Sequence, residues 1–372
     1  MTPRPRALDV SAGVGAAYAS KLLAEAGWDV VKHEPPGGDP LRARGSRWGG
    51  GEGGAFSFVN QGKRGVSLDE PSLRRLAGAA DAVLGDFSPA GLAEAGLPAD
   101  AYQTLMPRFV VTSLSGFGLV GPKAGWASTE LIVQAASGLL FLTGEWDQPP
   151  MQLPPYQGAL TGGVAAACAT LAAMLVARRD NTVRRTDVSM VEAMAMHTFG
   201  QQSAFVYFGE VPRREARIKG GLRMVPASDR FVYCAPGAVA TMRMDGIAVL
   251  LDEPELADER FQTAESRMAN YDQFVELFVP PFRRKSAQEW FEEAEKMHMT
   301  FALVQSIDDL FACPQLDARQ LLREVTGPRG ETLRVPGRTY RLEGGPTPVV
   351  RPAPARPGID NDDVLAHWLG GR

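Results

Sequence analysis

The chain has 372 residues, of which 45% are hydrophobic and 22% are charged, so it is long enough for two domains or one large domain with a sizeable core. Its formal net charge of −4 predicts no general attraction to nucleic acid or to an anionic membrane. The three cysteines form no CxxC pair and the four histidines lack metal-ligand spacing, which argues against a disulfide framework or a metal site and favours a reducing cytoplasm.

The N-terminal segment predicts a βαβ unit of a parallel α/β layer. Residues 7–10 are a short apolar strand, residues 16–26 have helical periodicity, and residues 28–34 are a second strand. Residues 35–57 are too rich in glycine and proline for regular elements, so we predict a loop. The pattern continues with strands at 65–68, 82–84, 109–113 and 186–190, and with helices that begin at 69 and that cover 129–140, 161–179 and 191–202.

The composition changes after about residue 212. A strand is predicted at 231–235, and the capping box Ser286–Glu289 begins an amphipathic helix that extends through His298. Residues 326–346 have the turn-rich texture of short antiparallel strands. We predict three segments, which are the N-terminal part of a large α/β domain (1–212), a smaller α+β domain (213–325) and a C-terminal segment that returns to the large domain (326–372).

The most lipid-like stretch is the Ala-rich run at 162–177. It is shorter than the ~20 residues that a bilayer requires, so we expect a buried helix and no membrane contact.

A glycine turn follows the first strand. Gly13-Val14-Gly15 opens a helix, and Glu34 lies 19 residues beyond Gly15, which resembles a dinucleotide-binding fingerprint. Tyr18 stands where that motif needs a third glycine, and a ring there would block close packing of helix and strand. We therefore expect a plain tight turn or another ligand.

Several stretches resemble one family, the class III CoA-transferases (CaiB/BaiF), which includes formyl-CoA and carnitine CoA-transferases and 2-methylacyl-CoA racemases. The resemblance covers most of residues 7–195. The stretches, in order, include LDVSAGVGAAYASKLLAEAGWDVVKHEPPGGDPLR, FSFVNQGKRGVSLD, SLSGFGLVGP and TDVSMVEAM. The resemblance implies a Rossmann-like large domain made from both chain ends, a small domain in the middle, and two chains threaded through each other as an interlocked dimer.

The resemblance also implies a CoA site. Carried over by position, the adenine and ribose contacts fall at Gly13, Val14 and Gly15, the phosphates meet Lys63 and Arg64, and Phe87 is the aromatic of the next loop. Cations and exposed turn amides are the groups that phosphates need. The chain departs from the family at two of these loops, since Pro35 replaces a basic residue and Asp86 replaces an asparagine.

The family's acid is missing. In transferase members an aspartate attacks the acyl-CoA carbonyl, forming a mixed anhydride and then an enzyme-bound CoA thioester. In racemase members that aspartate shares proton transfer with a histidine. The aspartate aligns with Gly158 and the histidine with Thr129, so neither set is complete. Three candidates remain: Glu130, as a base or a helix cap; Tyr156, as an oxyanion donor or a packing residue; and the loop acids Glu145 and Asp147, which we expect to be solvated.

Three functions therefore stay open. The first is CoA transfer together with a paralogous partner that supplies the aspartate. The second is a diverged acyl-CoA lyase, hydrolase or isomerase that uses non-covalent acid–base chemistry. The third is a non-catalytic acyl-CoA-binding protein. All three expect coenzyme A or an acyl-CoA as the bound substrate, and a homodimer or a heterodimer as the assembly.

Overall fold

The structure is a computed structural model that describes residues 4–44, 53–88, 109–214, 224–234, 243–326, 330–344 and 351–370. The chain forms two compact units. Unit 1 comprises Met1–Gly144, Gln148–Arg213 and Gln315–Arg372, and unit 2 comprises Glu145–Asp147 and Arg214–Pro314. The chain thus changes unit at 213/214, one residue from the predicted boundary at 212/213, and at 314/315, well before the predicted boundary at 325/326.

The regular elements are numbered here in chain order. The strands are β1 (Arg6–Asp9), β2 (Asp29–His33), β3 (Arg64–Val66), β4 (Ala82–Gly85), β5 (Val110–Ser115), β6 (Arg184–Ser189), β7 (Met224–Pro226), β8 (Phe231–Cys234), β9 (Phe301–Leu303), β10 (Leu322–Thr326) and β11 (Thr332–Pro336). The α-helices are α1 (Val14–Glu25), α2 (Gly54–Val59), α3 (Glu70–Gly78), α4 (Glu130–Ala136), α5 (Gln157–Asp180), α6 (Met190–Ala195), α7 (Phe199–Phe208), α8 (Met244–Leu251), α9 (Ala264–Ala269), α10 (Tyr271–Phe278), α11 (Ala287–Lys296), α12 (Ile307–Ala312), α13 (Pro314–Ala318) and α14 (Asn361–Leu369).

Unit 1 is built on a six-stranded parallel sheet in the order β3-β2-β1-β4-β5-β6. The predicted α/β fold with a Rossmann-like sheet is confirmed. The chain leaves β1 toward β3 on one side and then returns to β4 on the other. In open parallel sheets the crevice at this reversal, outside the carboxyl ends of the strands, is where ligands bind.

Several predicted boundaries in unit 1 were wrong. The helix predicted at 129–140 ends at Ala136, and the helix predicted at 191–202 is divided into α6 and α7. Helix α2 occupies part of the predicted glycine-rich loop, of which residues 45–52 lie outside the described residues. Helix α5 begins at Gln157 rather than at Thr161, because Gly158 and Ala159 pack against neighbouring elements and continue the helix. The shift places Gly158 in the first turn of α5.

Helix α5 packs against α1 at close range. A Cβ on Gly163 of α5 would lie 2.7 Å from the carbonyl oxygen of Gly15 on α1, so the two backbones touch through glycine. The apolar side of α5, including Ala166, Met174 and Ala177, is buried with α1 and β5 in one core cluster. By length and composition alone α5 could cross a membrane, a property that core helices share.

Unit 2 has a three-stranded antiparallel sheet in the order β7-β8-β9. Its core is a chain of aromatic rings in which Phe278 and Phe282 lie between Phe274 and Trp290. The predicted capping box is present in both directions between Ser286 and Glu289, so the prediction of an amphipathic helix there is confirmed as α11.

Candidate active site at the carboxyl edge of the sheet

The crevice at the sheet reversal lies between the loops after β1 and β4. The backbone N–H groups of Ala12 and Gly13 both donate to Oδ2 of Asp86, at 2.9 and 2.7 Å. Val14 and Gly15 begin α1 directly behind them. The amides that were predicted to face CoA are thus already bound by a carboxylate of the chain itself, and that carboxylate is exposed.

A buried ion network lies beneath this crevice. Lys63 Nζ donates to Asp9 Oδ2 at 2.7 Å, to Asn60 Oδ1 at 2.8 Å and to the Ala17 carbonyl at 2.8 Å. Lys32 lies 3.6 Å from the other oxygen of Asp9. Lys63 therefore has three acceptors inside the protein.

The charges of this network stabilise one another. Burial by itself would raise the pKa of the Asp9 carboxyl, but the ammonium groups of Lys32 and Lys63 outweigh burial and hold that pKa well below its ordinary value. Burial lowers the pKa of Lys63 to about 8, with Asp9 opposing the shift. At neutral pH both members of the Asp9–Lys63 pair are therefore ionised.

Arg64 and Phe87 do not meet in this crevice. Arg64 is the first residue of β3, opposite Val31 in the middle of β2, and its guanidinium donates to Asp29 at 2.5 Å and to Asp363 at 2.8 Å. The ring of Phe87 is buried and folds back over Gly85. The geometry gives Lys63, Arg64 and Phe87 structural partners, and their contact with CoA stays a prediction that this arrangement does not support.

The first turn of α5 forms the second part of the site. Tyr156, just before the helix, has φ 69°, which is rare for a residue with a bulky side chain and marks a constrained turn. Tyr156 is partly buried against a cluster that includes Val14, Phe56 and Ala159. Gly158 itself is outside the left-handed region, so its backbone would accept an L-residue.

Glu130 lies directly against Gly158. Its Oε1 accepts the Gly158 N–H at 2.7 Å and its Oε2 accepts the Ala159 N–H at 3.3 Å. A Cβ on Gly158 would lie 3.4 Å from both carboxylate oxygens, and 2.7 Å from Cγ1 of Val133. The carboxylate of Glu130 therefore occupies the space beside residue 158 into which a side chain from that position would extend.

The sequence pattern that defines CoA-transferase family III matches residues 5–361. The chain belongs to this family. It is 27% identical to a succinate–glutarate CoA-transferase from Agrobacterium fabrum, over 97% of this chain and 94% of the relative. It is also 27% identical to a subunit of succinyl-CoA:(R)-benzylsuccinate CoA-transferase from Thauera aromatica, over 91% of this chain and 87% of the relative. A CaiB/BaiF family protein from Brucella suis has the same fold, with a TM-score of 0.87, 23% identity and 98% of each chain covered.

Two residues of this candidate site were missed from the sequence. Gln134, one helical turn after Glu130, donates from Nε2 to Glu130 Oε1 at 2.8 Å, while its own Oε1 accepts the Leu153 N–H at 3.0 Å. Val133 limits the space beside Gly158. The i,i+4 spacing of Glu130 and Gln134 was a usable signal for the first. No sequence signal was available for Val133, since its role depends on how α4 packs on α5.

The arrangement offers an anchored carboxylate beside a crevice. Helix α5 presents its N-terminal amides and the positive end of its dipole to the Glu130 side chain. Within the described ranges no group of three or more His, Cys, Asp or Glu side chains could hold a metal ion. The chemistry available from these side chains is nucleophilic attack or proton transfer by a carboxylate.

Proposed function

We propose that this chain transfers CoA from a CoA thioester to a free carboxylic acid at the carboxyl edge of its sheet. The observation that carries the proposal is the carboxylate of Glu130, held at 2.7 Å by the Gly158 amide. Because a carboxylate stands beside the position that lacks the family's acid, the site keeps the functional group that such a transfer uses.

We infer that the acids exchanged are short dicarboxylic acids. The support is that the relatives from Agrobacterium fabrum and Thauera aromatica carry succinate, glutarate or benzylsuccinate in their names. Each of these acids would keep one carboxylate free while the other forms the thioester.

The crevice at Gly13 suits the ribose of CoA better than its phosphates. Asp86 already accepts hydrogen bonds from the Ala12 and Gly13 amides, and its negative charge repels phosphate. A carboxylate at this turn is a good acceptor for a ribose hydroxyl. The predicted adenine and ribose contacts at Gly13, Val14 and Gly15 are retained in the proposal on this ground.

We propose that the working form contains two chains. None of the residues of α7 is buried, and Phe205, Tyr207 and Phe208 are each more than half exposed. Next to α7 lies a groove of about 430 Å³ that is lined by Phe141, Phe205 and Val206 among others. Apolar surface of this extent is typical of an interface. The relative from Thauera aromatica is named as a subunit, which supports an assembly of more than one chain.

The test is an assay of the purified single chain. Succinyl-CoA is mixed with glutarate, and the formation of glutaryl-CoA is followed by chromatography with mass detection. We expect glutaryl-CoA and free succinate in equal amounts. The same chain co-purified with a family III paralogue that has aspartate at its loop serves as the comparison. Transfer by the co-purified pair but not by the single chain would assign the nucleophilic carboxylate to the partner.

The alternative functions predict different products. Release of free CoA from succinyl-CoA without glutaryl-CoA would indicate hydrolysis, a reaction that fits acid–base chemistry by Glu130 or a donor role for Tyr156. Binding of CoA in calorimetry with no product from acetyl-, succinyl-, glutaryl- or oxalyl-CoA would indicate a binding protein. Either result contradicts the transferase proposal.

A further inference from the structure

The Glu130 carboxylate caps the first turn of α5 through the Gly158 and Ala159 amides, and this places it where a side chain of residue 158 would begin. A side chain at residue 158 would start 3.4 Å from both oxygens of Glu130. The carboxylate thus lies within the reach of the missing side chain, although it is carried by α4 instead of α5. Glu130 is half-buried, so solvent and ligands reach it.

The two oxygens of Glu130 are held differently. Oε1 accepts two hydrogen bonds, from Gly158 N at 2.7 Å and from Gln134 Nε2 at 2.8 Å. Oε2 accepts one longer bond, from Ala159 N at 3.3 Å. Each carboxylate oxygen has two lone pairs. Oε1 is therefore saturated, while Oε2 keeps a lone pair for another partner.

The side-chain amide of Gln134 has a fixed orientation, in which its NH₂ group donates to Oε1 of Glu130. The Leu153 N–H can only donate, so the atom of Gln134 that meets it at 3.0 Å must be the carbonyl oxygen. The NH₂ group then faces Glu130. The asymmetry between Oε1 and Oε2 follows from the chain and does not depend on a choice of amide rotamer.

We propose that Glu130 is the covalent nucleophile of this chain, acting from α4 in place of a side chain at residue 158. The proposal rests on the CoA transfer proposed above. Oε2 forms a bond to the carbonyl carbon of the thioester, the carbon–sulfur bond breaks, and CoA leaves as a thiolate. The product is a mixed anhydride between Glu130 and the acyl group.

The thiolate then attacks Cδ of Glu130. The bond from Cδ to Oε2 breaks, the first acid leaves as its carboxylate with that oxygen, and a glutamyl-CoA thioester remains. During this attack the negative charge develops on Oε1, which the Gly158 amide and Gln134 already hold with hydrogen bonds of ordinary length. Preorganised donors at such an atom are a main source of catalysis in acyl transfer. The acceptor carboxylate repeats both steps in reverse, and it leaves one of its own oxygens on Glu130.

The experiment traps this thioester in the intact wild-type protein. The chain is incubated with succinyl-CoA without an acceptor, treated with hydroxylamine, digested, and mapped by mass spectrometry. We expect a hydroxamate on the peptide at Glu130. Parallel turnover with glutarate labelled with oxygen-18 in its carboxylates should place the label on the same residue.

Two variants complete the test. Glu130→Gln keeps the size of the side chain and an acceptor for the Gly158 amide, and we expect it to lose transfer by at least about a thousandfold, the scale for a covalent nucleophile. Glu192→Gln, at an exposed glutamate in the first turn of α6, is the matched control and should keep both transfer and adduct. Thermal melting of each variant reports on folding.

The outcomes separate the two proposals. Transfer in the wild type with a hydroxamate on another residue, or with none, would overturn the role of Glu130 and leave the transferase function standing. Transfer that survives Glu130→Gln would do the same, and would leave Glu130 as the cap of α5. Absence of transfer, with hydrolysis or binding only, would overturn the proposed function itself.

Discussion

The Asp9 carboxylate, at the end of β1, connects several segments at the carboxyl edge of the sheet. Its carboxylate accepts from Lys63 and from Ser20 through Oδ2, at 2.7 Å each, and from Ser11 through Oδ1. These partners come from the turn, from α1 and from the segment before β3. Buried charges therefore hold the segments around the crevice together. A neutral substitution at Asp9 should weaken the contacts of all three segments.

We expect Asp9→Asn to lower the free energy of unfolding by about 3–5 kcal/mol, because it leaves Lys63 buried without its counterion. Denaturant unfolding at neutral pH measures this. Asp180→Asn, which removes exposed ion pairs with Arg179 and Arg184, is the control and should leave the free energy of unfolding nearly unchanged. Equal effects from the two substitutions would contradict a buried pair.

The pH dependence follows from the direction of the Asp9 shift. The pKa of Asp9 is lower in the folded than in the unfolded chain, so its contribution is complete above the ordinary pKa of about 4. As the pH falls below that value, the unfolded chain gains a proton that the folded chain resists. The difference in stability between wild type and Asp9→Asn should therefore shrink as the pH falls below about 4.

At the scale of elements, the crossing of α1 and α5 positions the site. Gly15 of α1 faces Gly163 of α5, and a Cβ on Gly15 would also lie 3.1 Å from the carbonyl oxygen of Ala159. The turn predicted to meet CoA and the first turn of α5 are thus brought together by contact between helix backbones. The glycines are required here for space, since neither has a positive φ.

Gly163→Ala should force the two helices apart, because the new Cβ would lie 2.7 Å from a backbone oxygen that cannot rotate away. We expect a loss of about 1–3 kcal/mol in the free energy of unfolding, typical of overpacking. Gly78→Ala, in α3 with nothing within 4 Å of the new Cβ, is the matched control and should be neutral or stabilising. A neutral result at Gly163 would mean that the helices cross at a greater distance.

At the scale of the whole molecule, the apolar side chains of α7 are exposed to solvent in the single chain, which favours a partner that covers them. We expect the protein to sediment as a dimer at micromolar concentration, with α7 in the interface. Phe205→Glu places a charge in the groove and should shift the protein toward monomer in analytical ultracentrifugation. Val120→Glu, at an exposed apolar residue outside this helix, should leave the assembly unchanged. A wild-type chain that sediments as a stable monomer would contradict the two-chain proposal.

The sequence was sufficient for the elements whose pattern is local. The alternation of apolar strands with helical periodicity predicted the parallel sheet, and the capping box at Ser286 predicted α11, since both depend on residues a few positions apart. The start of α5 was misplaced because Gly158 has weak helix propensity, whereas the contacts of the first turn with Glu130 and with α1 extend the helix to Gln157.

The sequence predicted the residue types of the candidate site, and tertiary contacts determined which of these residues lie together. The sequence alone showed that residue 158 carries no acid, that Tyr156 lies just before it, and that Glu130 is a candidate carboxylate well upstream. Only the packing of α4 against α5 placed the Glu130 carboxylate on the Gly158 amide, and only the burial of Asp9 took Lys63 out of reach of a ligand. The sequence by itself determines which chemical groups are available. The distances between elements depend on how the helices pack on the sheet, and these distances fix the hydrogen bonds and charge pairs.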